Sequence, residues 1–329
     1  MAENEEKARV SFSDLGFKFP SSTSTTCLGK MRSLSSLTKL EWFFLVVSMI
    51  SLLSALGLTI YRIVTVDHTS SDFTFGIVLI FNIVFCMYYT ISGIFFERPY
   101  EIGILVLATV MLWLYLLLNY CISVKGVFKM VRLIISSGLS PFIIVTGTVI
   151  ARKYRNSKNL IFRTVGAETV MQEICNTMFI FFDLLKADVQ ISISLAILSY
   201  HLPSYWYVLL PLMIVFGLVS SITGYLSVRF ENKVIAIVYA VLWIVMPAFA
   251  TYMISAAAKE LSLFTDTKMK KSLYTVMLLV AAACWIVRCA CLYFGINVFL
   301  GFGIGLKQKV FGSTNLSIST RNIQQVENE

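Results

Sequence analysis

Long uninterrupted apolar blocks recur along the chain, and none shows the alternation of apolar and polar residues that is typical of a β-barrel strand. A helix needs roughly 20 apolar residues to cross a hydrocarbon layer of about 30 Å, because it rises about 1.5 Å per residue. Eight blocks meet this requirement. The predicted transmembrane helices are 42–61, 73–96, 102–124, 131–151, 174–198, 207–228, 234–256 and 273–300.

The fourth block, 131–151, is the weakest, because a Ser-Ser-Gly run and Pro141 interrupt it. Neighbouring helices can satisfy the backbone groups that a proline leaves free, so we predict a kinked span here. If this block is re-entrant instead, seven spans remain. The sequence predicts an all-α, polytopic transmembrane helical bundle, with a disordered N-tail at 1–41, the bundle at 42–300 and a C-tail at 301–329.

Composition and charge also favour an integral membrane protein. Of the 329 residues, 57% are hydrophobic and 14% are charged, whereas a soluble domain carries about 25% charged residues. With the N-terminus in the cytosol, 17 of the 27 Lys and Arg lie on the cytoplasmic side and 8 on the outer side. The positive-inside rule therefore favours two cytosolic termini, although the last outer loop contains four lysines. The sequence is compatible with a location in the plasma membrane or in an endomembrane.

The segments outside the predicted spans are too short to fold as catalytic or nucleic-acid-binding domains. We therefore attribute the net charge of +9 to membrane topology and expect no nucleic-acid partner. The chain has only two histidines and lacks the common hydrolase, zinc-protease and nucleotide-binding motifs. We expect no enzymatic activity, no cofactor and no metal site. The basic segment 152–163 also contains apolar residues, which predicts contact with anionic lipid.

The fifth predicted span contains an unusual number of polar residues. Asn176, Asp183, Lys186 and Gln190 follow one another at intervals of seven, three and four, so they share one face of a helix. A charge near the bilayer centre costs at least about 2.5–3.5 kcal/mol unless it faces protein or water. The predicted intramembrane polar and charged cluster comprises Asn176, Asp183, Lys186, Asp188, Gln190 and, from the eighth span, Arg288.

The spacing of these charges predicts how they pair. Asp183 and Lys186 are three residues apart and can pair along their own helix. Asp188 has no basic residue at a neighbouring helical position, so its partner must come from another helix. Arg288 is the only other basic residue deep in a span. At about 1.5 Å per residue it lies about 20 Å below the outer surface and Asp188 about 15 Å, a difference that the Arg side chain can bridge, although Asp183 matches the depth of Arg288 as well. We predict that the fifth and eighth spans are in contact, with Arg288 on Asp188 or, second best, on Asp183.

Four short motifs in the second half of the chain carry a family resemblance. They are FRTVGA at 162–167, LLKADVQ at 184–190, RFENK at 229–233 and FGIGLK at 302–307. Over about residues 160–307 the chain resembles an uncharacterised family of multi-pass membrane proteins of fungi and animals. That family usually has Asn-Phe-Gly-Lys-Gly-Leu-Lys near its end, where this chain has Gly301 and Ile304 in place of the Asn and a Lys. The resemblance implies a multi-pass topology and no particular activity.

Three functions are compatible with this pattern. In a transporter or channel, the polar face of the fifth span would line a hydrated path for a small solute or ion. A membrane receptor would fall outside the rhodopsin-like class, because that class's signature motifs are absent. A structural or accessory subunit would use the charges only to neutralise one another. We favour the transporter or channel, and the sequence indicates neither a homo-oligomer nor a protein partner.

Overall fold

The computed structural model describes residues 23–26, 29–32, 36–66, 71–122, 127–165, 168–201, 206–263, 268–303 and 310. Every predicted span coincides with a helix over all or nearly all of its length, and the seventh coincides with two consecutive helices. The helices are α1 (Lys39–Thr65), α2 (Ser71–Phe95), α3 (Pro99–Ile122), α4 (Val127–Ser157), α5 (Asn159–Val165), α6 (Thr169–Leu198), α7 (Trp206–Phe230), α8 (Lys233–Trp243), α9 (Val245–Leu263) and α10 (Lys268–Leu300).

Two prolines have different effects on these helices. α4 continues through Pro141 without a break, so the fourth predicted span is a single long helix. The seventh predicted span is interrupted at Ile244, where α8 ends and α9 begins. Pro247 accounts for the interruption, because it has no N–H to donate to the carbonyl of Trp243 one turn earlier.

Several helices are long and apolar enough to cross a membrane. α6 is 30 residues long, but every stretch of 18 residues within it contains at least three charged residues, so composition alone does not mark it as a span. α3 contributes a shorter apolar stretch, Pro99–Leu114. The fold is thus an all-α helical bundle of a multi-pass membrane protein, as predicted. Within the described ranges, six segments are both long enough and apolar enough: Lys39–Thr65, Phe73–Phe95, Met130–Phe162, Leu210–Phe230, Lys233–Lys259 and Leu273–Leu300.

Part of the N-tail has regular structure. β1 (Thr23–Thr26) and β2 (Gly29–Arg32) form an antiparallel pair, with Thr26 opposite Gly29. The disorder predicted for 1–41 does not extend to these strands, because a run of threonines favours extended backbone and the two strands pair with each other. Residues 1–22 and most of the predicted C-tail lie outside the described residues.

The helices pack in two groups, with α6 between them. One group consists of α1 to α4, around a core that includes Phe44, Tyr89 and Ile102. The second consists of α6 to α10, with cores around Phe181 and Met246. α6 also contacts α2 and α3, so its two faces meet different groups. Many large apolar side chains on the outer faces are exposed, as a lipid environment requires.

One end of the bundle, here called the N-terminal end, contains the start of α1 and the turns α2–α3, α4–α5 and α7–α8. Each of these turns has a non-glycine residue in the left-handed region: Glu97 (φ 53°), Lys158 (φ 48°) and Glu231 (φ 50°). At the α2–α3 turn, the backbone N–H of Arg98 donates to the carbonyl of Gly93 at 3.0 Å, which closes the end of α2. The turn holds Arg98 close to Phe179 and Asp183 of α6.

Candidate functional site

The polar residues of α6 point in two directions. Asn176, Lys186 and Gln190 belong to the face that meets α2 and α3, as does Asp183. Asp188 lies five residues after Asp183, about 140° further around the helix, and it faces α10. Asn176, Asp183, Lys186 and Gln190 therefore share one face of α6, as predicted. Asp188 lies on the opposite face.

Four charged side chains meet where α6 faces α3 and the α2–α3 turn. We call them the charge network: Arg98, Glu101, Asp183 and Lys186. Lys186 Nζ donates to Asp183 Oδ1 at 3.0 Å and also to Glu101 Oε1. Arg98 Nη1 donates to Glu101 Oε1 at 3.0 Å and lies 3.6 Å from Asp183 Oδ1. Both carboxylates are buried. Each contacts two cations, which offsets the cost of removing it from water.

Polar and aromatic neighbours hold the network in place. Ser92 Oγ on α2 donates to Glu101 Oε2. The guanidinium carbon of Arg98 lies 5.5 Å from the ring centroid of Phe96 and 5.9 Å from that of Phe179. Both distances are within the range of a cation–π contact. Arg98 is thus held by two carboxylates and two aromatic rings.

The electrostatics of the α2–α3 turn keep Arg98 charged. Burial by itself lowers the pKa of the Arg98 guanidinium, but the nearby carboxylates of Glu101 and Asp183 raise it, and the pKa ends above its ordinary value. Lys186 has a further neighbour, since its Nζ lies 5.8 Å from the ring centroid of Tyr88. Two cations and two carboxylates make the charge network neutral.

The sequence did not identify Arg98 and Glu101 as candidate residues, because they lie between two predicted spans. One signal was present: Pro99 followed by an acidic residue is typical of the first turn of a helix. That signal places Glu101 at the start of α3. It does not show that the side chain of Glu101 points toward α6, which depends on how the two helices pack.

A second contact joins α6 to α2 through amide groups. Gln190 Nε2 donates to Asn82 Oδ1 at 2.7 Å, and Asn82 Nδ2 donates to Ser194 Oγ at 2.9 Å. Asn82 Nδ2 also donates to the backbone carbonyl of Val78 at 2.8 Å. These bonds satisfy polar groups that would otherwise be stranded in an apolar interior. Asn82 was not predicted, since one amide in an apolar helix gives no sign of its partner.

Arg288 and Asp188 form a separate buried ion pair between α10 and α6. Arg288 Nε lies 2.6 Å from Asp188 Oδ1, and neither side chain is more than 2% exposed. Arg288 Nη1 donates to Ser220 Oγ on α7 at 3.2 Å, and Trp243 Nε1 on α8 donates to the Arg288 carbonyl at 2.9 Å. The predicted contact between the fifth and eighth spans is confirmed. The second-best partner, Asp183, belongs to the charge network instead.

The N-terminal segment is attached to the same end of the bundle by Arg32. Arg32 Nη1 lies 2.9 Å from Glu97 Oε1 and 3.5 Å from Glu41 Oε2, and Nη2 donates to the carbonyl of Ser36 at 2.6 Å. Lys153 of α4 also contacts Glu41, at 3.4 Å. Arg32 therefore connects the segment before α1 to the α2–α3 turn, one residue from Arg98.

A polar cleft of about 660 Å³ opens at the N-terminal end between the α2–α3 turn, the end of α4, α5 and the start of α6. It is lined along α6 from Thr169 to Asp183, about 21 Å at 1.5 Å per residue. Tyr100 Oη donates to Asn176 Oδ1 at 3.0 Å across this cleft. The charged side chains of its lining are Arg98, Arg155 and Lys158 on one hand and Glu97, Glu173 and Asp183 on the other.

The cleft and the charge network adjoin each other, since Arg98 and Asp183 belong to both. Within the described part of the chain, no three His, Cys, Asp or Glu side chains lie close enough to hold a metal ion. What the cleft presents to a ligand is charge of both signs, hydrogen-bonding groups and aromatic rings. Such a lining suits a small polar or charged solute.

The apolar outer faces and the charged interior define a class: this is a polytopic, all-α integral membrane protein. The chain matches the family model described as a domain of unknown function, DUF7789, over residues 28–152 and 165–296. The match covers most of the chain, which therefore belongs to the DUF7789 family. No curated protein and no solved structure matches it. Membership of an uncharacterised family is confirmed, whereas the resemblance to proteins of fungi and animals stays a prediction.

Proposed function

We propose that the protein is a transporter or channel, and not an enzyme, and that a small solute or ion enters it through the cleft. The observation that carries this proposal is the position of Asp183. This carboxylate lies at the inner end of the cleft, is only 1% exposed, and has one oxygen with no hydrogen-bond partner among the described residues. A charge placed so deeply in a membrane helix is costly, and contact with a hydrated path reduces that cost.

Intramembrane charges can also have a purely structural role, and we assign that role to Arg288 and Asp188 only. Arg288 is fully buried, and neither residue lines the cleft. We assign this pair to helix packing, as in a structural or accessory subunit, and the charge network to the solute. The two groups of charges thus have different roles within one bundle.

We further propose that the cleft opens to the cytosol, since the N-terminal end carries most of the Lys and Arg outside the spans. Arg152, Arg155 and Lys158 are exposed beside the cleft and would meet anionic lipid headgroups there. An epitope tag at residue 1 tests the orientation. It should bind antibody only after the membrane is permeabilised, and staining of intact cells that carry the protein at the surface would refute this orientation.

Flux measurements on proteoliposomes test the transport proposal. Vesicles are shrunk osmotically with potassium chloride, an amino acid or a sugar, and the recovery of volume is followed by light scattering. For at least one probe, wild-type protein and the exposed control Glu168→Gln should recover faster than empty vesicles, and Asp183→Asn should recover at nearly the rate of empty vesicles. If wild-type protein is no faster than empty vesicles for any probe, the proposal is wrong.

A further inference from the structure

The two carboxylate oxygens of Asp183 have different surroundings. Oδ1 lies 3.0 Å from Lys186 Nζ and 3.6 Å from Arg98 Nη1. Oδ2 has no hydrogen-bond partner among the described residues. A buried acceptor without a donor is unfavourable, so Oδ2 is suited to receive a proton.

Arg98 has a buried donor, its Nε, that lacks a hydrogen-bond acceptor in the described part of the chain. Arg98 and Asp183 both line the cleft, and they lie within ion-pair distance of each other. Two residues that line the cleft and lie within ion-pair distance of each other therefore have an unused donor, on the cation Arg98, and an unused acceptor, on the anion Asp183.

The net charge of the network depends on whether Asp183 is protonated. With both acids ionised, two cations and two carboxylates cancel. Apart from the members of the network, the described residues place no charged side chain within ion-pair distance of Asp183, and α5, α7 and α10 contribute none. A proton on Asp183 would leave one positive charge in excess. The charged and titratable groups facing it are Arg98 from the α2–α3 turn, Glu101 from α3, Lys186 from α6, and Tyr88 and Tyr89 from α2.

We propose that Asp183 takes a proton from water in the cleft and that this step lets Arg98 bind a small anion entering by the same cleft. A hydronium ion gives its proton to Oδ2, an O–H bond forms, and a water molecule remains. The charge of the network then rises from zero to plus one, and the anion restores neutrality. The inference rests on the proposed function, because it names what the transporter or channel binds.

Arg98, rather than Lys186, is the cation that accepts the anion. Arg98 lines the cleft, its contact with Asp183 is the longer of the two, and its planar guanidinium offers several donors to an anion. Lys186 keeps its contact with Glu101. On the way in, the exposed side chains of Arg155 and Lys158 attract anions to the outer part of the cleft.

Proton uptake on anion binding tests the proposal directly. Coupling between two sites is reciprocal, so an anion that binds at Arg98 must favour the proton at Asp183. Full-length protein in detergent is placed in weakly buffered solution with a pH-indicator dye, and sodium chloride is added as the probe. Wild-type protein and the control Glu168→Gln should take up close to one proton per chain. In Asp183→Asn this uptake should be lost, and equal uptake by wild type and Asp183→Asn would overturn the proposal.

Two further measurements cover the case in which Asp183→Asn does not fold. Infrared spectra of wild-type protein containing isotope-labelled aspartate should show a carboxylic-acid band that grows when chloride is added. Absence of any label-sensitive band would also overturn the proposal. In Arg98→Lys, which keeps the charge and loses the planar group, uptake should require a higher chloride concentration; an unchanged chloride dependence would exclude Arg98 as the anion site.

The outcomes for this inference and for the proposed function are distinguishable. If wild-type protein transports a probe but shows no proton uptake that depends on Asp183, the inference is wrong and the transport function stands. Proton uptake that depends on Asp183, without flux of any probe, overturns the transport function and leaves a proton- and anion-binding site.

Discussion

Arg288 on α10 and Asp188 on α6 are in direct contact, with Nε 2.6 Å from Oδ1, at a point where Arg288 is fully buried. Asp183, only five residues away on α6, faces the opposite group of helices and lines the polar cleft. One helix thus supports two sets of buried charges, and among the described residues one set lines the cleft whereas Asp188 and Arg288 do not.

Removal of one member of the Arg288–Asp188 pair should strongly destabilise the bundle. Asp188→Asn and Arg288→Gln each leave an uncompensated buried partner, which costs about 3–5 kcal/mol. The double variant removes both charges and should cost less than the sum of the two. Melting temperatures in detergent give the comparison, and losses that simply add would show that the two residues do not interact.

The amide contact between α2 and α6 should contribute much less to the stability of the bundle than the Arg288–Asp188 pair. Interhelical hydrogen bonds in membrane proteins are worth about 0.6 kcal/mol on average and seldom more than about 1.7 kcal/mol. We therefore expect Asn82→Ala to lower the free energy of unfolding by an amount in that range, clearly below the effect of Asp188→Asn. Reversible unfolding in mixed micelles measures both. An equal effect of the two substitutions would contradict the assignment.

Arg32 should hold the segment before α1 against the bundle. Arg32→Gln removes its ion pairs with Glu41 and Glu97, which as charged hydrogen bonds are worth about 1.5–3 kcal/mol. Amide hydrogen exchange at residues 36–41 should then become at least about tenfold faster, since about 1.4 kcal/mol corresponds to a factor of ten. The exposed Lys39→Gln serves as the control and should leave exchange nearly unchanged. Equal exchange in wild type and Arg32→Gln would show that these ion pairs do not hold the segment.

Gly224 on α7 allows a close approach of α8. A Cβ atom at this position would lie 2.9 Å from the ring of the buried Tyr239 and 3.2 Å from Leu185. Gly224→Ala should therefore destabilise the protein by about 1–3 kcal/mol through overpacking. At Gly103, an exposed site on α3, a Cβ would meet no atom within 4 Å. Gly103→Ala should be neutral or stabilising by up to about 1 kcal/mol, and similar melting temperatures for the two variants would refute the packing argument.

The positions of most helices could be predicted from the sequence, because an apolar block of the right length has few alternatives in a lipid bilayer. The sequence also predicted Asp188 as the first choice of partner for Arg288, with Asp183 as the second. Charges deep in spans are few, so a carboxylate without a basic neighbour on its own helix and a basic residue within reach are favoured as partners. The Asp183–Lys186 contact likewise follows from a spacing of three residues on one helix.

Which faces of the helices meet could not be predicted in this way, because it depends on tertiary packing. Glu101, Arg98 and Asn82 became partners of α6 because α2 and α3 turn these side chains toward it, and helix periodicity within one segment does not contain that information. The same is true of Arg32, whose partners lie on two other elements. The unequal surroundings of the two Asp183 oxygens arise only when the cleft and the charge network form together. They depend on distances between elements far apart in the chain, and such distances are set by packing.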